Sequence, residues 1–109
     1  HYWSADMFCL PSAYETGPLV LLEALATGLP SLMPAVGLAP DLIADGVNGY
    51  VIPLDAAGIS RKLADTARAD QGRQRAASRA SVLEFSWDSI GNRYAELISA
   101  VYRSSCIDD

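Results

Sequence analysis

Glu15 and Glu23 are the residues of this chain best suited to act on a ligand. Seven residues separate them in the stretch "YETGPLVLLEALATGLP", residues 14 to 30. Ionised carboxylates accept hydrogen bonds and donate none, so they suit sugar hydroxyls rather than phosphates. Glu15 stands just outside an apolar, helix-like run, and Glu23 lies within it. At about 100° per residue, Leu19, Leu22, Glu23 and Ala26 share one side of such a helix. Val20, Leu21, Ala24 and Leu25 cover the rest. A helix that is apolar all round is expected to be buried, and burying an unpaired carboxylate is costly. Two readings follow. Either Glu23 lies on a narrow exposed strip beside Thr27, or a donor meets it, from the protein or from a ligand hydroxyl.

The elements that must position these residues read as an alternating α/β pattern. "MFCLP", Met7 to Pro11, is a continuous apolar run that suits a strand buried on both faces. A polar loop, Ser12 to Gly17, leads to a helix over Pro18 to Thr27. Pro18 fits its first turn, Gly28 the left-handed position after its end, and Pro30 stops it. "SLMP", Ser31 to Pro34, is a second strand, reached by a right-handed crossover and so parallel to the first. After the Gly37 loop comes a short helical turn, Asp41 to Ala44. The turn-rich "DGVNG", Asp45 to Gly49, then feeds a third strand, Tyr50 to Ile52. The rest is helical. Ile59, Leu63 and Ala67 are expected on one buried face. Ala76, Ala80 and Leu83 form another after a break near Gly72. Ile90, Tyr94, Leu97, Ile98 and Val101 make the clearest stripe, on a helix over Asp88 to Tyr102 capped by Ser86 or Asp88. The fold class is α/β, an incomplete Rossmann-like parallel sheet with flanking helices. A strand-helix-strand core spans 5–53 and a helical segment 56–103, within one unit, 1–109. Three strands make a thin sheet, so further strands are expected upstream. The opening "HYWSADMFCLPS", which lacks a Met, reads as a fragment boundary or a processed start.

In an open parallel sheet, ligands bind at the C-terminal ends of the strands. The loop after the first strand lies there, and the next helix points its N-terminus at the same crevice. The N–H groups of Leu19 and Val20 suit an anion such as phosphate. Glu15 would sit at the rim and Glu23 one to two turns deeper. A phosphate at the helix start with hydroxyls beside it describes a nucleotide-sugar.

Composition narrows the alternatives. All eight basic residues lie between Arg61 and Arg103, and residues 1–60 carry none. Nucleic-acid binding needs a clustered basic face. The spread of Arg73, Arg75 and Arg79 reads instead as a solvated helix face. His1 is the one histidine, so no histidine triad or metal cluster is expected. Cys9 and Cys106 have neither metal nor redox spacing and are expected to be reduced. No apolar run approaches the roughly 18 residues of a membrane span, and no signal peptide is legible.

The segment Ala5 to Pro53 resembles the donor-binding half of retaining GT-B glycosyltransferases of the family 4, or group 1, type. Its frame is "LPS-x-x-E … PLVLLEALATGLP", followed by a "VG-x-x-P-[DE]-x-I-x-DG-x-NG-x-x-V/I-P" stretch. The tail "FSWDSIGNRYAELISAVY" is similar to the closing segment of that family. The resemblance implies that Glu23 binds the ribose hydroxyls of the donor. It implies that Glu15 meets the transferred sugar as the catalytic-site carboxylate, and that the Leu19 and Val20 amides hold the diphosphate. Gly17 and Pro18 belong to the same donor-binding loop. Pro18 removes a backbone donor there, a change read as affecting sugar contacts. The Gly37 loop would lie near the nucleotide or base. The resemblance further implies a metal-independent hexosyl transfer with retention and no cofactor. The acceptor, a carbohydrate, lipid or small molecule, would bind in an N-terminal domain. The location would be cytoplasmic, with peripheral membrane association of the full-length protein admitted. The family neutralises its diphosphate with an Arg/Lys pair earlier in the donor domain. This chain has no cation before Arg61, so alone it is expected to lack transferase activity. Two other readings remain: a different GT-B enzyme, such as a nucleotide-sugar epimerase or a glycogen-synthase relative, and a non-catalytic α/β module that binds a protein partner. A separate expectation concerns the last helix. If its stripe packs on another domain, Tyr94 or Val101 is overexposed in this chain.

Overall fold

The structure, a computed structural model, describes residues 1–17 and 19–106. Three short strands form one parallel sheet in the order β1 (Phe8–Cys9), β2 (Ser31–Met33), β3 (Gly49–Val51). Phe8 pairs with Ser31, and Leu32 with Tyr50. Flanking backbone bonds extend the ladder, with Leu10 N–H donating to Leu32 O at 2.9 Å and Ile52 N–H to Met33 O at 2.9 Å. β1 and β2 are shorter than the apolar runs predict and β3 starts one residue before its expected position, but the strands are parallel as expected. β2 is central and wholly buried, as a strand flanked on both sides must be.

Turn chemistry fixes the approach to β3. The Asn48 side chain, 2% exposed, accepts from Ala44 N–H and donates to Leu42 O, both at 2.8 Å. Asp45 Oδ1 accepts from Val51 N–H at 2.7 Å. Gly49 adopts φ +150°, and a Cβ there would overlap the Ser31 carbonyl oxygen. The "DGVNG" stretch is therefore a structural clamp that seats β3 against β2.

Helix α1 (Leu19–Ala26) crosses between β1 and β2. Its end is a Schellman motif: Leu29 N–H reaches Ala24 O and Gly28 N–H reaches Leu25 O, each at 2.9 Å, with Gly28 at φ +86°. α1 buries Leu21, Ala24 and Leu25 in a core with Met33, Ala39, Leu42, Ile43 and Val82. The expectation of a helix buried all round fails. Leu19 is 70% exposed, and Val20, Glu23 and Ala26 are exposed as well.

The short helix α2 (Ala39–Leu42) starts two residues before its expected position. Helices α3 (Ala56–Arg68) and α4 (Gln71–Ser81) are capped by Asp55 and Asp70. The break falls near Gly72 as expected, at Ala69–Asp70, where Asp70 Oδ1 takes the Arg73 N–H. Their buried faces also differ from expectation. Thr66, Gln74 and Ser78 are buried, whereas Ala67, Ala76, Ala80 and Leu83 are exposed. Thr66 and Ser78 donate their hydroxyls to the carbonyls of Lys62 and Gln74. Bonded to their own helix, they pack inward without an unmet polar group. A pattern read from apolar residues misses such positions.

Helix α5 (Trp87–Ser105) is capped by Ser86, whose Oγ accepts from Ser89 N–H at 3.2 Å. It buries no residue and lies along a molecule 62 Å long and 27 by 23 Å across. Tyr94 is 63% and Val101 57% exposed, as expected of a stripe with no cover in this chain.

Candidate functional site

The loop from Leu10 to Gly17 leaves the C-terminal end of β1 and delivers the chain to α1. Because the strands are parallel, the Ala35–Leu38 loop after β2 leaves from the same edge. The first N–H groups of a helix have no partner within it. Those of Leu19 and Val20 therefore open on this edge, and both residues are exposed. Glu15 is half-buried in the loop, and Ser12 Oγ donates to its Oε1 at 3.0 Å. Gly17 faces open space, with no atom within 4 Å of where a Cβ would stand. Pro18 lies outside the described residues. Glu15, Gly17, Leu19 and Val20 thus share one end of the sheet, and Glu23 follows one turn along α1.

Glu23 is exposed, and it is met by a protein donor: the Tyr2 hydroxyl donates to its Oε2 at 2.9 Å. This contact comes from a 3-10 turn, Tyr2–Ser4, at the start of the chain, and no sequence signal pointed to it. The carboxylate raises the Tyr2 phenol above its usual range near 10, mainly through that hydrogen bond, then through partial burial and the Glu23 charge. Burial raises the Cys9 thiol.

The strip carrying Glu23 forms one wall of an apolar groove of about 550 Å³. Leu19, Leu22, Glu23 and Ala26 line one side, and Leu83, Phe85, Trp87 and Ile90 the other. Arg79 closes one end, with its guanidinium over Gly28. The expectation of a solvated Arg73–Arg79 face holds for Arg73 and Arg79, which are both exposed. Arg75 instead ties the N-terminal segment to α4, donating to Ala5 O at 3.1 Å and pairing with Asp6 at 3.4 Å. Arg79 sits at the far end of α1 from Leu19, about 13 Å away at 1.5 Å per residue. It complements the C-terminal carbonyls of α1 and lies beyond the reach of an anion at the N-terminus. Among the described residues, no three His, Cys, Asp or Glu side chains gather in a way that could hold a metal ion. No described helix is long and apolar enough to cross a membrane.

The sequence model of the family described as "Glycosyl transferases group 1" matches residues 1–81. Glycogen synthase of Mycobacterium tuberculosis is 34% identical over 103 residues, covering 91% of this chain and 25% of that protein. Among solved structures, sucrose-phosphate synthase of Thermosynechococcus elongatus superposes with a TM-score of 0.77 at 30% identity, over 94% of this chain and 27% of that one. The pneumococcal O-GlcNAc transferase, solved with UDP and GlcNAc, superposes with a TM-score of 0.72 at 26% identity, over 93% of this chain and 22% of that one. The chain therefore spans about a quarter of the length of the relatives it matches.

Proposed function

The chain belongs to the group 1 glycosyltransferases, and on that premise we propose that it forms the distal part of the donor nucleotide-sugar site of a retaining GT-B enzyme. One observation carries the reading. Glu23 presents a solvent-facing carboxylate one turn from two open helix N–H groups, at the C-terminal edge of a parallel sheet. In this reading Glu23 accepts from the ribose hydroxyls of the donor, and Glu15, steadied by Ser12, accepts from the transferred hexose. Negative charge builds on the departing diphosphate as the sugar–phosphate bond breaks. The Leu19 and Val20 N–H groups stabilise it, as oriented backbone donors do at other developing anions. No metal or cofactor enters. The acceptor would bind outside this chain, and the reaction would run in the cytoplasm. A structural relative solved with UDP supports a nucleoside diphosphate as the ligand class.

The test is an amide NMR titration of the chain with UDP, GDP and ADP, beside Glu23→Ala. Hydrogen bonds to a charged acceptor contribute about 1.5–3 kcal/mol each, and the exposure of Glu23 favours the lower figure. The best-bound diphosphate is expected to shift Leu19, Val20 and Glu23. Glu23→Ala is expected to weaken it about tenfold, which corresponds to about 1.4 kcal/mol. A folded chain bound equally well with and without the Glu23 carboxylate refutes the assignment.

A further inference from the structure

We propose that Tyr2 is the positioning residue of Glu23, holding one carboxylate oxygen so that the other meets the vicinal hydroxyls of a ligand; this rests on the donor-site reading of Glu23. An exposed Glu on a helix samples many rotamers. Here the Tyr2 hydroxyl fixes Oε2 at 2.9 Å. Tyr2 is itself fixed. Its ring packs edge-on against Phe8 of β1, with centroids 6.3 Å apart and planes at 61°, and Phe8 packs on the core. The turn that carries Tyr2 closes through Ala5 N–H to Tyr2 O at 3.2 Å, and Arg75 of α4 holds the Ala5 carbonyl. The chain of contacts runs from core and α4 through Tyr2 to Glu23. A carboxylate offers about four lone-pair sites, so one phenolic donor leaves room for two ribose hydroxyls. The raised phenol is what such a bond produces.

Tyr2→Phe keeps the ring on Phe8 and removes only the donor. The probe is whichever of UDP, GDP and ADP binds the chain best, paired with its 2′,3′-dideoxy analogue. Tyr2→Phe is expected to weaken the natural nucleotide about fivefold and leave the dideoxy nucleotide unchanged. Added to Glu23→Ala, it is expected to weaken binding no further, since the two side chains act as one unit. A ¹³C titration of the Tyr2 ring carbon bearing the hydroxyl is expected to return toward the ordinary range in Glu23→Gln. Equal weakening of natural and dideoxy nucleotides would mean a purely structural Tyr2 and overturn the proposal. So would a Tyr2→Phe variant that binds like the parent while Glu23→Ala does not. If neither substitution affects binding but the Tyr2 titration still depends on Glu23, the hydrogen bond is real. In that case the donor-site reading fails, and the positioning role fails with it. A chain that binds none of the three nucleotides has the same consequence.

Discussion

Gly49→Ala tests whether the β2–β3 ladder is as closely built as the structure shows. A Cβ at Gly49 would overlap the Ser31 carbonyl oxygen and stand 2.7 Å from both Ser31 N and Ser31 C. These are backbone atoms of the buried central strand, so no flexible side chain can swing away. The backbone there has φ +150°, a region that side chains other than glycine rarely adopt. Relief requires β3 to move off β2, which breaks pairing beside the Ser31–Asn48 bond of 2.9 Å and opens a close-packed interior. Strain of about 1–3 kcal/mol plus overpacking of about 1–3 kcal/mol gives a loss of about 2–6 kcal/mol. Domains of this size are stable by only about 5–15 kcal/mol, and each kcal/mol shifts Tm by about 4–8 °C. A fall of at least about 8 °C is expected in a thermal melt followed by circular dichroism. Gly91→Ala is the matched control. It lies within α5 with nothing within 4 Å of a Cβ, so alanine should stabilise by about 0.5–1 kcal/mol. If Gly49→Ala melts within 3 °C of the parent, or the two substitutions move Tm the same way, the register argument is wrong.

Asn48→Ala removes a buried side chain that satisfies both Ala44 N–H and Leu42 O. Two polar backbone groups lose their partner, and a urea melt is expected to show a loss of about 2–4 kcal/mol; less than 1 kcal/mol would mean that water replaces the amide. On α5, Leu97 and Val101 are exposed among the described residues. Leu97→Glu with Val101→Glu is therefore expected to change stability by less than about 0.5 kcal/mol while lowering the chain's binding of an apolar dye. A marked fall in stability would show that the α5 face is covered by this chain after all.

The frame of the site was legible because local rules fix it. Gly28 ends α1 as its position after an apolar run predicts, and "DGVNG" turns the chain into β3. Two short apolar runs joined by a helix had to be parallel strands, and they are. The features not legible in the sequence depend on long-range placement. The apolar count around α1 implied a buried helix, but the strip with Leu19, Leu22, Glu23 and Ala26 faces a groove. Glu23 meets both sequence expectations at once: it is exposed, and Tyr2 meets it. Tyr2 is 21 positions away in sequence, too far for any helical or strand period to signal. Thr66 and Ser78 were missed for a different reason, because hydroxyls bonded to their own helix bury as readily as small apolar groups.

The uneven charge along the chain now has a physical account. Three basic residues of the helical half contact the frame. Arg75 fastens the segment carrying Tyr2, Arg79 covers the carbonyl end of α1, and Arg93 pairs with Glu84 at 3.2 Å to brace α5 on the turn before it. The half that forms the sheet edge carries carboxylates and no cation of its own. At that edge a hydroxyl-bearing ligand finds two acceptors, Glu15 and Glu23, each already steadied by one protein hydroxyl. An anion finds only backbone N–H groups and the partial positive charge of α1, about half an elementary charge. Arg79, about 13 Å away, exceeds the Debye length of about 8 Å at physiological salt. On the donor-site proposal, recognition by this chain is therefore aimed at the hydroxyls of the ligand more than at its phosphates. This is why the dideoxy comparison, rather than a phosphate series, probes the site most directly.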